Sequence, residues 1–101
     1  MDLKKNIEIA DLFDIYGSLL TKKQYKIMQS YYDFDFSLSE IAQNEKISRS
    51  AVLDAIKKSI ATLYKYETHL NILRKNKEID ELLLNNAPID EIIKTIKRRD
   101  K

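Results

Sequence analysis

Ser48, Arg49 and Ser50 are followed at helical intervals by Leu53, Asp54, Lys57 and Lys58. On the outer side of a helix's first turns, these residue types suit contact with nucleic acid. Arg and Lys neutralise phosphates or donate to base edges, and Ser can donate or accept. Leu53 offers only apolar contact, and Asp54 repels phosphate unless it accepts from a cytosine amino group. The seven form the candidate contact set. The competing reading of the same spacing is a tight helix pair used for packing, because short apolar periodicities recur by chance.

Catalytic chemistry has no comparable support. The chain has no cysteine and no Gly-rich phosphate loop, and its single histidine, His69, has no orienting carboxylate nearby in sequence. His69 reads as a surface helix residue, and no cofactor or metal is expected. Asp33 and Asp35 flank Phe34 in a short connector, where paired acids without histidine act as turn and cap residues. The six tyrosines and three phenylalanines could stack on unpaired bases, but at helical spacing such rings belong to a core. The reading is therefore a binding module, not an enzyme.

The contact set needs a short helix, a tight turn and a second helix to hold it. Leu38 to Val52 supplies them. Ser37 with Glu40 forms a capping-box pattern opening a helix to about Asn44, and Ser48 caps the next one. Ile41 and Val52 are placed to fill the space between the two helices, Ile47 to plug the turn, and Ala42 to stay small where they cross. This is a helix-turn-helix over about residues 37–63, whose second helix runs on past Tyr64 through Ala55, Ile56, Ser59, Ile60, Leu63, Tyr66 and Leu70.

One Gly and one Pro in 101 residues leave few breaks, so the expected fold is all-α: a small helical domain carrying the helix-turn-helix, plus C-terminal helices. A first helix is expected over about Leu3 to Tyr16, burying Ile7, Ala10 and Phe13 with Leu12 and Tyr16, and stopping at Gly17. Thr21 with Gln24 caps a second helix to about Tyr32, with Leu20 stapling onto it. Lys75-Asn76-Lys77 reads as a bend. Beyond it Ile79, Leu82, Leu83 and Leu84 supply an apolar face ending at Asn85-Asn86. Pro88 then opens a last helix in its first turn, with Ile89, Ile92, Ile93 and Ile96 as a stripe. The organisation expected is a helix-turn-helix domain over 1–75 and a helical extension over 76–101, packing on the domain or on a second copy as a homodimer.

The net charge of +2 is small for a nucleic-acid binder. Residues 1–37 carry five Lys/Arg against six Asp/Glu, and the remaining 64 carry thirteen against ten. The excess gathers at Lys94, Lys97, Arg98, Arg99 and Lys101, against Asp100. Between Ser37 and Tyr66, five Lys/Arg face three acids, a thin footprint for duplex DNA, which keeps structured RNA and protein open as partners. No apolar run reaches the roughly 20 residues a membrane span needs, and Met1 to Lys5 lead into no signal-peptide stretch. The expected location is the cytoplasm, to which the lack of cysteine is suited.

Leu20-Thr21-Lys22-Lys23-Gln24, Tyr31-Tyr32, Asp35, Ser37-Leu38, Glu40-Ile41-Ala42, Ser48-Arg49, Ala51-Val52 and Asp54, with Lys57 and Tyr66-Glu67 downstream, resemble the bacterial YlxM-like family in content and in spacing. The resemblance runs over about residues 3 to 73 and leaves the last quarter outside. It implies a helix-turn-helix similar to the promoter-reading C-terminal region of sigma factors. It also implies a role in the signal recognition particle pathway, because genes of this family commonly accompany those of the particle. The implied partners are DNA or the particle's RNA, and its GTPase. The sequence departs from the family pattern at Lys46, where glycine is typical of the turn, at Glu45, where a bulky aromatic is, and at Leu53, where an aromatic is usual. A non-glycine residue at positive φ costs about 1 kcal/mol, which packing can absorb.

Overall fold

Six α-helices and one 3-10 helix follow one another in the computed structural model, which describes residues 7–99, and no strand occurs among those residues. The chain divides into two compact units, residues 1–65 and 66–101. The first holds α1 (Ile7–Tyr16), a 3-10 helix (Gly17–Leu19), α2 (Lys22–Tyr32), α3 (Leu38–Glu45) and most of α4 (Arg49–Leu70). The second holds the end of α4, α5 (Ile72–Leu84) and α6 (Ile89–Lys97).

Both capping boxes form as their sequences dictate. Thr21 accepts from the Gln24 amide at 3.1 Å while the Gln24 side chain accepts from Thr21 N–H at 3.2 Å. At α3, Ser37 accepts from Glu40 N–H at 3.1 Å and Glu40 accepts from Ser37 N–H at 2.9 Å. Each box satisfies two of the four amides that a helix start leaves open.

The core of the first unit is drawn from all four helices: Ile9, Leu12, Phe13 and Tyr16 of α1, Ile27 and Met28 of α2, Ile41 of α3, Val52, Ile56, Ile60 and Leu63 of α4, with Leu20 between. Each such burial contributes on the order of 1.5–3 kcal/mol. On α1 the buried set is i, i+3, i+4, i+7 starting at Ile9. The expectation for Ile7 fails here: it lies two residues off that register and is 82% exposed. Residues 3–6 of the expected first helix lie outside the described residues.

Gly17 does follow the last residue of α1, but not as a left-handed stop, since no glycine has positive φ. A Cβ there would sit 2.9 Å from Phe13 Cδ1 and Cε1 and 3.4 Å from Tyr25 Cε2. The rings of Phe13 and Tyr25 lie 5.1 Å apart, tilted by 40°, and glycine is what fits against them. The aromatic core is smaller than the spacing predicts. Phe13 and Tyr16 are buried, whereas Tyr25 and Tyr64 are 38% and Phe34 56% exposed. Tyr64 lies on the rim because its hydroxyl donates to the Glu8 carboxylate, tying α4 to α1.

The break in the second unit falls at Asn71 instead of Lys75-Asn76-Lys77, which lie inside α5. Asn71 takes φ 54, a conformation Asn tolerates better than most residues. The Glu67 carboxylate reaches across this break and accepts from the Leu73 and Arg74 amides, each at 3.0 Å. A negative group thereby meets the positive end of α5. At the other end of α5, Asn86 at φ 53 closes the helix, with Ala87 N–H bonding Leu82 C=O at 2.9 Å and Asn86 N–H bonding Leu83 C=O at 3.2 Å. Pro88 stands at the cap of α6, one position before the first turn, where its missing N–H costs nothing.

Candidate nucleic-acid interface

α3 ends, the chain turns through Lys46, and α4 begins at Arg49. Lys46 adopts φ 58, ψ 42. Ile47 N–H bonds Ala42 C=O at 3.1 Å and Lys46 N–H bonds Gln43 C=O at 3.4 Å. That pair of bonds is a Schellman closure, with a lysine in the place glycine prefers. Ile41 and Val52, 1% and 0% exposed, fill the space between the helices as their positions require, and Ile47 and Ala42 are half-buried at the turn. Lys26 of α2 pairs with Glu45 at 3.3 Å, so the position where the family pattern has an aromatic carries an ion pair between α2 and the end of α3.

The start of α4 is fixed by Ser48, whose hydroxyl accepts from the Ala51 amide at 3.0 Å and lies 3.2 Å from the Ser50 hydroxyl. Ser48 is thereby occupied in capping, and Ser50 is held beside it. Arg49 and Lys57 are exposed. Asp54 pairs with Lys58 one turn on, at 3.0 Å, so these two candidates largely cancel each other's charge. Leu53 is half-buried and sits at the margin of the outer face.

Successive residues of an α-helix turn by about 100°, which sets the outer stripe of α4 opposite Val52, Ile56, Ser59, Ile60 and Leu63. Ser50, Asp54, Lys57, Lys58 and Ala61 lie on it, all exposed. Lys65, exposed and on the same stripe, extends the set past the residues that the sequence reading selected. Its signal was present in the i, i+4, i+7, i+11 run Asp54, Lys58, Ala61, Lys65. Arg49 lies off the stripe: seen down the helix it falls on the side of Ile56 and Ile60, and it is exposed at the first turn, at the N-terminal end of that packing. The seven candidates thus lie along the cap and first three turns of one helix, with Ser50, Asp54, Lys57 and Lys58 on its outer stripe and Ser48, Arg49 and Leu53 off it. Arg49 and Lys57 make no ion pair among the described residues.

No group of three or more His, Asp or Glu able to hold a metal ion is found among the described residues. No helix among them is long and apolar enough to cross a membrane. His69 is exposed in the last turn of α4. Asp33 is the C-cap of α2 and Asp35 takes φ 60 in the connector to α3.

Residues 3–99 match the family described as "Putative helix-turn-helix protein, YlxM / p13 like". The match covers the last quarter too, beyond the blocks that carry the resemblance to about residue 73. A UPF0122 protein of Clostridium botulinum is 43% identical over 83 residues, which are 82% of this chain and 76% of that one. The UPF0122 protein YlxM of Bacillus subtilis is 48% identical over 82 residues, 81% of this chain and 74% of that one. A UPF0122 protein of Clostridium perfringens is 38% identical over 99 residues, covering 91% of this chain and 88% of its own. This chain belongs with these relatives to the UPF0122, YlxM-like family, whose description is that of helix-turn-helix proteins.

Proposed function

We propose that the protein is a nucleic-acid-binding helix-turn-helix accessory factor of the signal recognition particle pathway. The observation that supports nucleic-acid binding is the capped start of α4. Ser48 fixes the first turn through Ala51 N–H, and Arg49, Ser50 and Lys57 project from it exposed. From this fixed turn the Ser50 hydroxyl and the longer, mobile-stemmed Arg49 guanidinium reach a phosphate or a base edge, and Lys57 and Lys65 follow along the helix. Ser48, Leu53, Asp54 and Lys58 complete the contact surface as positioning and edge residues.

The place in the pathway rests on the YlxM-like resemblance. The thin charge of the face favours it over tight duplex binding. The Asp54–Lys58 pair removes one of the cations that a duplex backbone would use, so affinity must come from shape, from RNA structure or from a protein surface such as the particle's GTPase. The second reading is a DNA-binding transcriptional regulator, favoured by the position of the outer stripe on the helix that follows the turn. A purely structural helical dimer is the third.

Purified protein is incubated, at two salt concentrations, with a genomic duplex pool and with signal-recognition-particle RNA, with and without the GTPase. Selective capture by the particle, with weak salt-sensitive duplex binding, supports the accessory role. Sequence-selective duplex capture makes the protein a regulator, and binding to neither refutes both.

A further inference from the structure

The second unit has no apolar interior of its own: every buried hydrophobic side chain among the described residues lies in residues 1–65. α5 and α6 pack on each other and are stitched at one end by Arg98, whose Nη2 bonds Glu78 at 2.5 Å and whose carbonyl accepts from Lys75 Nζ. Ile92 and Thr95 of α6 are half-buried, while Ile89, Ile93 and Ile96 are 71%, 42% and 55% exposed. Those three recur at i, i+4, i+7, a single stripe. An apolar stripe of this length on a two-helix hairpin calls for a covering surface.

The charges beside the stripe say what covers it. Asp90 and Lys97 lie about 20° apart seen down the helix and about 10 Å apart along it, on the same flank of the isoleucines, with the acid at one end and the base at the other. Neither makes an ion pair among the described residues. A groove of about 600 Å³ runs along this flank, lined by Asp90, Ile93, Lys94, Lys97 and Arg98. The occupant that fits is a helix with an apolar stripe, a base opposite Asp90 and an acid opposite Lys97. α6 of a second copy, running antiparallel, meets that description. A two-fold axis sets the same flank of each helix face to face, so Asp90 meets Lys97 of the other copy and Lys97 meets its Asp90. The axis then falls beside Ile93, and Ile89 of each copy stacks near Ile96 of the other. A parallel arrangement would set acid near acid and base near base.

We propose that the chain forms a homodimer through antiparallel α6 helices, with Ile89, Ile93 and Ile96 as its apolar seam and reciprocal Asp90–Lys97 pairs as its register. The nucleic-acid reading neither requires this interface nor falls with it.

The test uses two full-length variants, Asp90→Lys and Lys97→Asp, measured by sedimentation equilibrium separately and as an equimolar mixture, with helicity followed by circular dichroism. The wild type is expected to sediment at twice the chain mass. Each variant alone places like charges opposite each other twice per dimer, and its dissociation constant is expected to rise about tenfold or more. The mixture restores both opposite-charge pairs and is expected to recover a dimer within about threefold of the wild-type constant. Any effect of the substitutions on α6 itself is the same in the mixture as in the separate samples, so recovery on mixing reports the pairing alone. Ile93→Asp is expected to give a monomer. A wild type that stays monomeric, or variants that do not recover on mixing, would overturn the proposal. Those outcomes would leave the stripe to the chain's own first unit or to another protein's helix.

Discussion

Lys46 illustrates how one residue can carry a cost that the rest of the fold absorbs. At φ 58 its Cβ is strained where glycine's absence of one is not. Lys46→Gly is expected to stabilise the protein by about 1 kcal/mol, read as a higher urea midpoint at unchanged slope. A lower midpoint would mean that the lysine side chain is needed at the turn. Asp54 makes the opposite kind of contribution. Removing it by Asp54→Ala frees Lys58 from its 3.0 Å pair and deletes a negative charge from the outer stripe. Duplex affinity is expected to rise several-fold, and the slope of log K against log salt to steepen by about 0.9, one further phosphate contact. Arg49→Ala is expected to lose affinity for whichever nucleic acid the protein selects. Unchanged binding would remove Arg49 from the interface.

At the scale of elements, the helix starts are set by short-range hydrogen bonds whose effects are separable by pH. Glu40 accepts from the Ser37 backbone and side chain, and these bonds hold its carboxyl below the ordinary 4.5. A depressed carboxyl adds stability that is present above its ordinary value and lost as pH falls through the folded one. Glu40→Gln keeps the capping box without the charge, so the gap in melting temperature between wild type and variant is expected to close as the solution is acidified. Tyr64 shows the reverse. Its hydrogen bond to Glu8, then burial, then the Glu8 charge and Tyr32 push its phenol up to about 12 from 10.0. Stability from this bond is full below 10.0 and is lost as pH rises toward 12, since the native state then holds the proton more tightly than the unfolded chain. With the ring 38% exposed the effect is screened. Wild type is expected to lose stability across that alkaline window, and Tyr64→Phe to lose less.

Over the whole molecule, helix content, both capping boxes and the cap at Ser48 were legible because they depend on residues three or four apart. Such neighbours meet in any helix whatever surrounds it. The core pair Ile41 and Val52 was legible because the short turn fixes how the two helices meet. The all-α class followed from the scarcity of breakers, and the family from blocks that keep register through the turn. What the sequence did not decide was which side of a shared pattern faces inward. α1 buries Ile9 and not Ile7, and the aromatics divide between core and rim, because burial depends on where the other helices lie. It also did not reveal that Gly17 answers to the Phe13–Tyr25 ring contact instead of a left-handed turn, or that the break before α5 falls at Asn71 with Glu67 capping the amides beyond it. Each of those is a relation between side chains in space, set by packing, while composition and spacing determine only which relations are available.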